Sequence, residues 1–252
     1  VKELEAEIGL PLVDRSRRPP TLTERGLAVV DHARRMLDIA EDIRALGADR
    51  SLVGALSVGI VPTAMAGLAP PALARLRESH PRLRVAIRTG LSGDLTALVR
   101  AGMLDAALVT SPDPRLPGLA WREAAREPLE AIAPPETPPG DAASLLTGRP
   151  FIWFSRATWA GQQIERHLAR MGIATEAAME VDSLEAVEAL VRHGLGVSVV
   201  PRRRGAVREG LQIAPLDDPP LWRRLSLVER PRHPRGRFTD ALFAALTAGE
   251  SA

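Results

Sequence analysis

The segment GALSVGIVPTAMAGLAPPALARLRESHPRLRVAIRTGLSGDLTALVRAGMLDAALVT, residues 54–110, decides the fold. Leu56, Val58 and Ile60 alternate with small or polar residues, the period of two that a half-buried strand requires. A helix is predicted from Pro71 to Ser79, with Leu73 and Leu76 inward. Leu83, Val85 and Ile87 alternate as a second strand, and Leu95, Leu98 and Val99 mark a second helix. Leu104 to Val109 is a third strand, apolar enough for burial on both faces. A β-α-β-α-β order implies a parallel sheet with right-handed crossovers.

Downstream, Pro134 to Gly140 is proline-rich and irregular, a candidate boundary, and a second α/β unit begins after it. Phe151 to Phe154 reads as a strand, Trp159 to Met171 as a helix and Met179 to Val181 as a strand. Asp182 with Glu185 makes a capping-box-like start to a helix that buries Leu184, Val187, Leu190 and Val191 and ends at Gly194. Val197 to Val200 is the next strand, closed by Pro201. A proline- and arginine-rich stretch leads to a strand at Leu225 to Val228 and a last helix around Phe238 to Leu246. Two α/β units joined by a connection that crosses out and back imply a cleft between them, a favoured place for ligands.

Upstream, Val1, Leu4 and Ile8 share one helical face and Gly9 is a natural stop. No cap and no initiator Met precede Val1, so this helix is expected to be cut mid-element. Asp14 to Pro20 is basic and proline-bearing and cannot be helix. Thr21 to Thr23 returns as a short strand, and Thr23 caps a helix from about Glu24 to Leu46. Its seam of Leu22, Gly26, Val29, Ala33, Met36, Ala40 and Ile43 steps by four and three, thickened by Val30 and Leu37. That pattern suits packing of one long helix on another, so dimerisation is expected through Val29, Ala33, Met36, Ala40 and Ile43. A surface helix packed on its own domain is the alternative.

The composition excludes several chemistries. Cysteine is absent, which removes disulfides, thiolate catalysis and cysteine zinc sites from these residues. The pI near 10.1 follows from a near-neutral chain whose only lysine is Lys2, because Arg titrates above pH 12. It says little about nucleic acid. No apolar run is long enough to span a bilayer and no secretion signal is visible, so the cytoplasm is expected and a membrane is not. The five His residues have no metal-like spacing. Gly194-Leu195-Gly196 lacks a third glycine and precedes a strand, no phosphate-binding loop or nucleophile elbow is present, and Asp217-Asp218 sits in a solvated loop. No enzyme and no cofactor are expected.

Several short tags, in order, resemble the LysR-type transcriptional regulators along essentially the whole chain. Leu4 to Leu12 looks like the end of that family's recognition helix and the turn after it. Asp14-Arg15, Leu22-Thr23 and Gly26 match the wing and the start of the linker helix. His80-Pro81 before Leu83 and Gly102 to Leu108 match the first unit. Glu127-Pro128-Leu129 with Ile132-Ala133-Pro134 matches the first crossover strand, and Gly194 to Val197 with Pro201 the end of the second unit. Val13 departs from the family's usual Phe.

The resemblance implies a two-subdomain, periplasmic-binding-protein-like (type 2) α/β effector domain preceded by a long linker helix and the remnant of a winged helix-turn-helix. The expected divisions are 1–23 for the remnant, 24–53 for the linker and hinge, and 54–252 for the effector domain. Subdomain I takes 54–133 with about 221–252, and subdomain II about 134–220. The front of the recognition helix, which meets base edges in such proteins, is expected to be missing. Arg15, Arg17 and Arg18 of the wing, with Lys2, are the DNA-contact candidates. A bland solvated loop is the alternative.

An effector, expected to be a small organic anion, should sit where strand ends face helix starts. Pro62, Thr63 and Ala64 follow the strand ending at Ile60, and Thr110 and Ser111 the strand ending at Val109. Ser155, Arg156 and Thr158 follow Phe154, and Asp182 opens a helix. The resemblance points to Thr63, Thr110 and Pro201 in particular. For each hydroxyl a plain cap is the alternative, and for Arg156 a surface carboxylate. Trp153 and Trp159 read as core, with lining of the cleft as the alternative. The expected function is an allosteric regulator of transcription that binds double-stranded DNA, a small effector and itself, as dimer or tetramer. RNA polymerase contact is implied only by the resemblance. A free solute-binding protein of the periplasmic type shares the cleft and is the alternative.

Overall fold

A computed structural model describes residues 1–16, 20–45, 52–203 and 208–249. Arg17, Arg18 and the side chain of Ile43 lie outside the described residues. Two compact units divide the chain, Val1–Ala55 with His80–Arg84 and Leu56–Ser79 with Val85–Ala252.

In the first unit, α1 (Lys2–Ile8) stops at Gly9, whose φ of 72° is the left-handed conformation that suits glycine. Strands β1 (Val13–Asp14) and β2 (Thr21–Leu22) pair antiparallel, Val13 opposite Leu22. The helix α2 (Glu24–Ala45) follows. Thr23 caps it: its Oγ1 accepts from the Gly26 amide at 2.9 Å and donates to the Pro11 carbonyl at 2.9 Å. A Cβ on Gly26 would lie 2.0 Å from the Leu12 carbonyl oxygen, so the helix start crosses the chain where only glycine fits. The Glu5 carboxylate accepts from Arg15 Nη2 at 2.8 Å and from the amides of Leu12 and Val13 at 2.8 and 3.0 Å. The Arg15 guanidinium first, and then the amides, lower the Glu5 pKa to about 2. Along α2, Leu27, Met36 and Leu37 are exposed, Ala33 is exposed, and Val29 and Ala40 are half-buried.

The α/β body contains β3 (Gly54–Ile60), α3 (Pro62–Met65), α4 (Ala69–Ser79), β4 (Leu83–Thr89), α5 (Ser92–Arg100), β5 (Ala106–Thr110) and β6 (Ala120–Ala133). It continues with α6 (Ala142–Leu146), β7 (Pro150–Phe154), α7 (Trp159–Arg170), β8 (Glu176–Val181), α8 (Leu184–Arg192), β9 (Ser198–Pro201), β10 (Gln212–Pro215), β11 (Trp222–Glu229) and α9 (Gly236–Thr247). β3 lies between β4 and β5 and is parallel to β5. Every position of β5 is buried, as a strand covered on both faces requires. α4 begins two residues before the predicted start, because Pro70 and Pro71 fit a first turn whose amides need no partner. Leu73 of that helix is only half-buried, while Ala72 and Leu76 are buried.

β6 ties the body together. Eight of its first nine residues register antiparallel with β11, Ala124 being passed over at a register shift, and residues 129–133 pair with β9 and β10. The strand is thus longer than the stretch recognised in the sequence from Glu127 to Pro134. β11 closes the first sheet by lying antiparallel between β6 and β5. In the second lobe, β7 and β8 are parallel and Phe151 bridges to Val197. One core there gathers Leu129, Phe151, Trp153, Ile164, Leu168 and Val199, and another gathers Ile132, Ile152, Leu184, Val187 and Val191. The helix α6, capped by Asp141, and the strand β10 were not foreseen. Among the described residues, no helix is long and apolar enough to cross a membrane.

Candidate functional site

The first turns of α5 and α7 and the C-terminal end of β5 border one narrow cavity of about 50 Å3. From the first lobe it is lined by Pro62, Thr63, Leu91, Ser92 and Thr110, and from the second by Phe154, Ser155, Thr158 and Asp182. Arg223 of β11 also lines it. Free amides at helix starts carry partial positive charge, which favours an anion. As the lobes stand, there is room for a few waters or a handful of ligand atoms.

Local sequence explains how each wall is held. Ser92 opens α5, and its Oγ accepts from the Thr110 amide at 3.3 Å, joining strand end to helix start. Ser155 takes a φ of 40°, rare for a side-chain-bearing residue, and its carbonyl accepts from the Thr158 amide at 3.0 Å and hydroxyl at 2.8 Å. The turn is closed further by Gly161, where a Cβ would meet the Ser155 carbonyl oxygen at 2.5 Å. Thr158 caps α7 through the Gly161 amide at 3.0 Å. Ser183, rather than Asp182, caps α8: its Oγ accepts from the Ala186 amide at 3.3 Å and donates to Glu185 at 2.9 Å. The expected Asp182 capping box is therefore corrected by one residue, and Asp182 borders the cavity instead.

Beneath the cavity lies a buried charge that the basic run Trp222-Arg223-Arg224 does not mark as buried. Arg223 is 1% exposed. Its Nη2 donates to Glu127, its directly opposed neighbour on β6, and its Nη1 donates to Thr63 Oγ1 at 3.0 Å. Burial pulls the Arg223 pKa down, and Glu127 opposes that shift. Its Nε has no hydrogen-bond partner among the described residues. Because Thr63 accepts from Arg223, its own hydroxyl proton is free to be donated elsewhere.

Six of the predicted effector residues therefore meet: Pro62, Thr63, Thr110, Ser155, Thr158 and Asp182. Four do not line this cavity. Ala64 is fully buried. Ser111 faces a different cavity. Arg156 lies over the Trp153 ring at 4.9 Å and pairs with Glu165, so the carboxylate it holds is a surface one. Pro201 ends β9 and accepts from Arg208 through its carbonyl. Of the DNA-contact candidates, Lys2 is exposed on α1 and Arg15 is held by Glu5. Trp153 is core, as read, whereas Trp159 is only half-buried. His167 approaches Asp217 and His233 approaches Glu229, and no group of three metal-ligating side chains occurs among the described residues.

Residues 49–250 match the model of the LysR substrate binding domain. The chain is 28% identical over 203 residues to an uncharacterized HTH-type transcriptional regulator, YusT, of Bacillus subtilis (strain 168), covering 80% of this chain and 68% of that one. Among solved structures, a cysteine variant of Corynebacterium glutamicum OxyR is 29% identical with a TM-score of 0.70, covering 100% of this chain and 82% of that one. The effector-binding domain of QuiR, solved in complex with shikimate, is 17% identical with a TM-score of 0.67, covering 79% and 99%, and shares the fold.

Proposed function

This chain belongs to the LysR family of transcriptional regulators, and from that premise we propose that its interlobe cavity takes a small organic anion whose binding alters how the protein engages DNA. The observation that carries the proposal is the Arg223–Thr63 contact under the cavity. It orients Thr63 as a donor beside Ser92, Thr110 and the amides of two helix starts, so a carboxylate placed there is met by hydrogen-bond donors. Asp182, across the cavity, is an acceptor and suits a ligand hydroxyl or ammonium at the far end. A small hydroxy- or amino-carboxylate fits that polarity, and the shikimate bound by QuiR is a hydroxy-carboxylate.

The cavity's narrowness supplies the allosteric step. A ligand larger than a few atoms is seated only when the lobes shift, so it favours one arrangement over the other, which is the condition for moving an equilibrium. Reversible binding is the route the cavity's polar lining supports, through Thr63, Thr110, Ser155 and Asp182. The regulator reading is favoured over a free solute-binding protein by the wing and α2, which a transport protein does not need.

Around this centre we place the remnant winged domain at 1–23, the dimerising helix and hinge at 24–53 and the effector domain at 54–252. Arg15 and Lys2 approach DNA phosphates, with Arg17 and Arg18 in the same basic stretch. Val29, Ala33, Met36 and Ala40, with Ile43, form the face that meets a second copy. The work is done in the cytoplasm, on double-stranded DNA and in contact with RNA polymerase.

A thermal-shift screen of small hydroxy- and amino-carboxylates against the wild type and Thr63→Val tests the cavity. At a hundredfold excess over Kd a true effector stabilises by about 2.7 kcal/mol, or roughly 5–11 °C for a chain of this size. The valine variant should lose that gain. A compound that stabilises both proteins equally removes Thr63 from the site.

A further inference from the structure

The strands that floor the effector cavity have a second face, and it too is hollow. β11 alternates, so that Arg223 points into the first cavity while Trp222 and Arg224 on either side are exposed. Thr110 and Ser111 part in the same way at the end of β5. On α7, Trp159, Gln162, Gln163 and Arg166 recur at the spacing of one helical face, distinct from Thr158 and Ala160 in the first cavity. These residues, together with Ser111, Asp113, Trp222 and Arg224, line a separate cavity of about 150 Å3 that opens to solvent.

We propose that this second cavity is a binding site for a single-ring aromatic monoanion. A void of about 150 Å3 is the size that accommodates one benzene ring. Trp159 and Trp222 supply aromatic surface. The charges are two guanidinium groups, Arg166 and Arg224, against one carboxylate, Asp113, leaving one positive charge. Neither Arg forms an ion pair among the described residues; Arg166 only donates Nε to the Gln162 carbonyl of its own helix at 3.2 Å. Both are thus available for charge-assisted hydrogen bonds to a ligand carboxylate.

The site also has the placement of an effector site. Gln163 Nε2 already donates to the Trp222 carbonyl at 3.0 Å, linking α7 of the second lobe to β11. A ring held between Trp159 and Trp222 bridges the same two elements from the face opposite Arg223. It therefore biases the lobes independently of the first cavity, and any coupling between the two sites is reciprocal.

The protein's four tryptophans include both cavity rings, so intrinsic emission reports on occupancy. Titration of the 252-residue chain with benzoate should quench emission saturably, with an apparent Kd on the order of 1 mM for so small a ligand. Acetate, which lacks the ring, and benzyl alcohol, which lacks the charge, should bind at least tenfold more weakly. Arg224→Glu, an exposed change that should leave the circular dichroism melt unaltered, should weaken benzoate at least tenfold, and Trp222→Leu should remove most of the quench. Thr63→Val should leave benzoate binding unchanged, which separates this proposal from the first cavity. Absence of saturable quenching, or binding that survives Arg224→Glu, overturns the site. Loss of benzoate binding in Thr63→Val moves the ligand to the first cavity and overturns it as well.

Discussion

Removing the Glu127 carboxylate should be among the most damaging single changes in this chain. Arg223 is 1% exposed, Glu127 6%, and they pair across the two strands that link the lobes. In Glu127→Ala the guanidinium keeps only the Thr63 hydroxyl as a partner, and its Nε is already without one among the described residues. An unpaired buried charge left by deleting one partner costs about 3–5 kcal/mol, which lowers the folded-to-unfolded ratio by roughly two to four powers of ten. For a domain of this size that is a fall in Tm of about 6–20 °C. Replacing both partners, as in Glu127→Leu with Arg223→Met, should return most of the loss, because burying the pair is itself costly. Urea unfolding of the wild type, both single variants and the double variant gives the coupling directly. A Glu127→Ala penalty below about 1 kcal/mol, or a double variant as unstable as the sum of the singles, would refute the assignment of Arg223 as a charge held in place by Glu127.

Three further outcomes follow from the geometry. Gly26→Ala puts a methyl 2.0 Å from the Leu12 carbonyl; despite alanine's better helix propensity it should destabilise the first unit by about 1–3 kcal/mol, read by amide exchange at Leu12 and Thr23. Glu5, its pKa lowered from 4.5 to about 2, contributes stability that is complete above about pH 4.5 and is lost as pH falls toward 2; its carboxyl carbon shift in an acid titration should have its midpoint near 2, and a midpoint above 4 would show that the Arg15 and amide contacts do not form. Met36→Glu charges an apolar side chain that is 71% exposed; sedimentation should show self-association weakened at least tenfold, and unchanged association would place the dimer contact elsewhere.

What the sequence hid is as instructive as what it displayed. β5 was legible because Ala106 to Val109 is apolar throughout, and α2 because its seam repeats. β6 was read only in part because it carries Arg122, Glu123, Arg126, Glu127 and Glu130, a composition that looks like surface. Several of those charges are matched by residues about 80–110 positions away: Arg122 by Glu229, Glu130 by Arg208 and Glu127 by Arg223. No local pattern reports such a match. Arg223 was missed for the same reason, since Trp222-Arg223-Arg224 reads as a basic, exposed run. Its parity with Leu225 and Leu227, both fully buried, was the available signal. β10 escaped notice because it is a four-residue strand ending in proline with Ile213 41% exposed, so alternation had almost nothing to mark. The cavity residues were the easier part, because strand ends and helix starts are legible and the topology gathers them. Strand parity turns Ser111, one residue past Thr110, toward a different cavity.

The unbroken run of β6 from Ala120 to Ala133 has a mechanical consequence. Spanning roughly 45 Å at the usual rise per residue, it serves both lobes without a glycine or a loop between them. Such a member behaves as a torsion bar, storing twist along its length instead of pivoting freely at one joint. On the proposed function, a ligand that parts the lobes must twist this strand along its length, because no loop or glycine within it offers a joint.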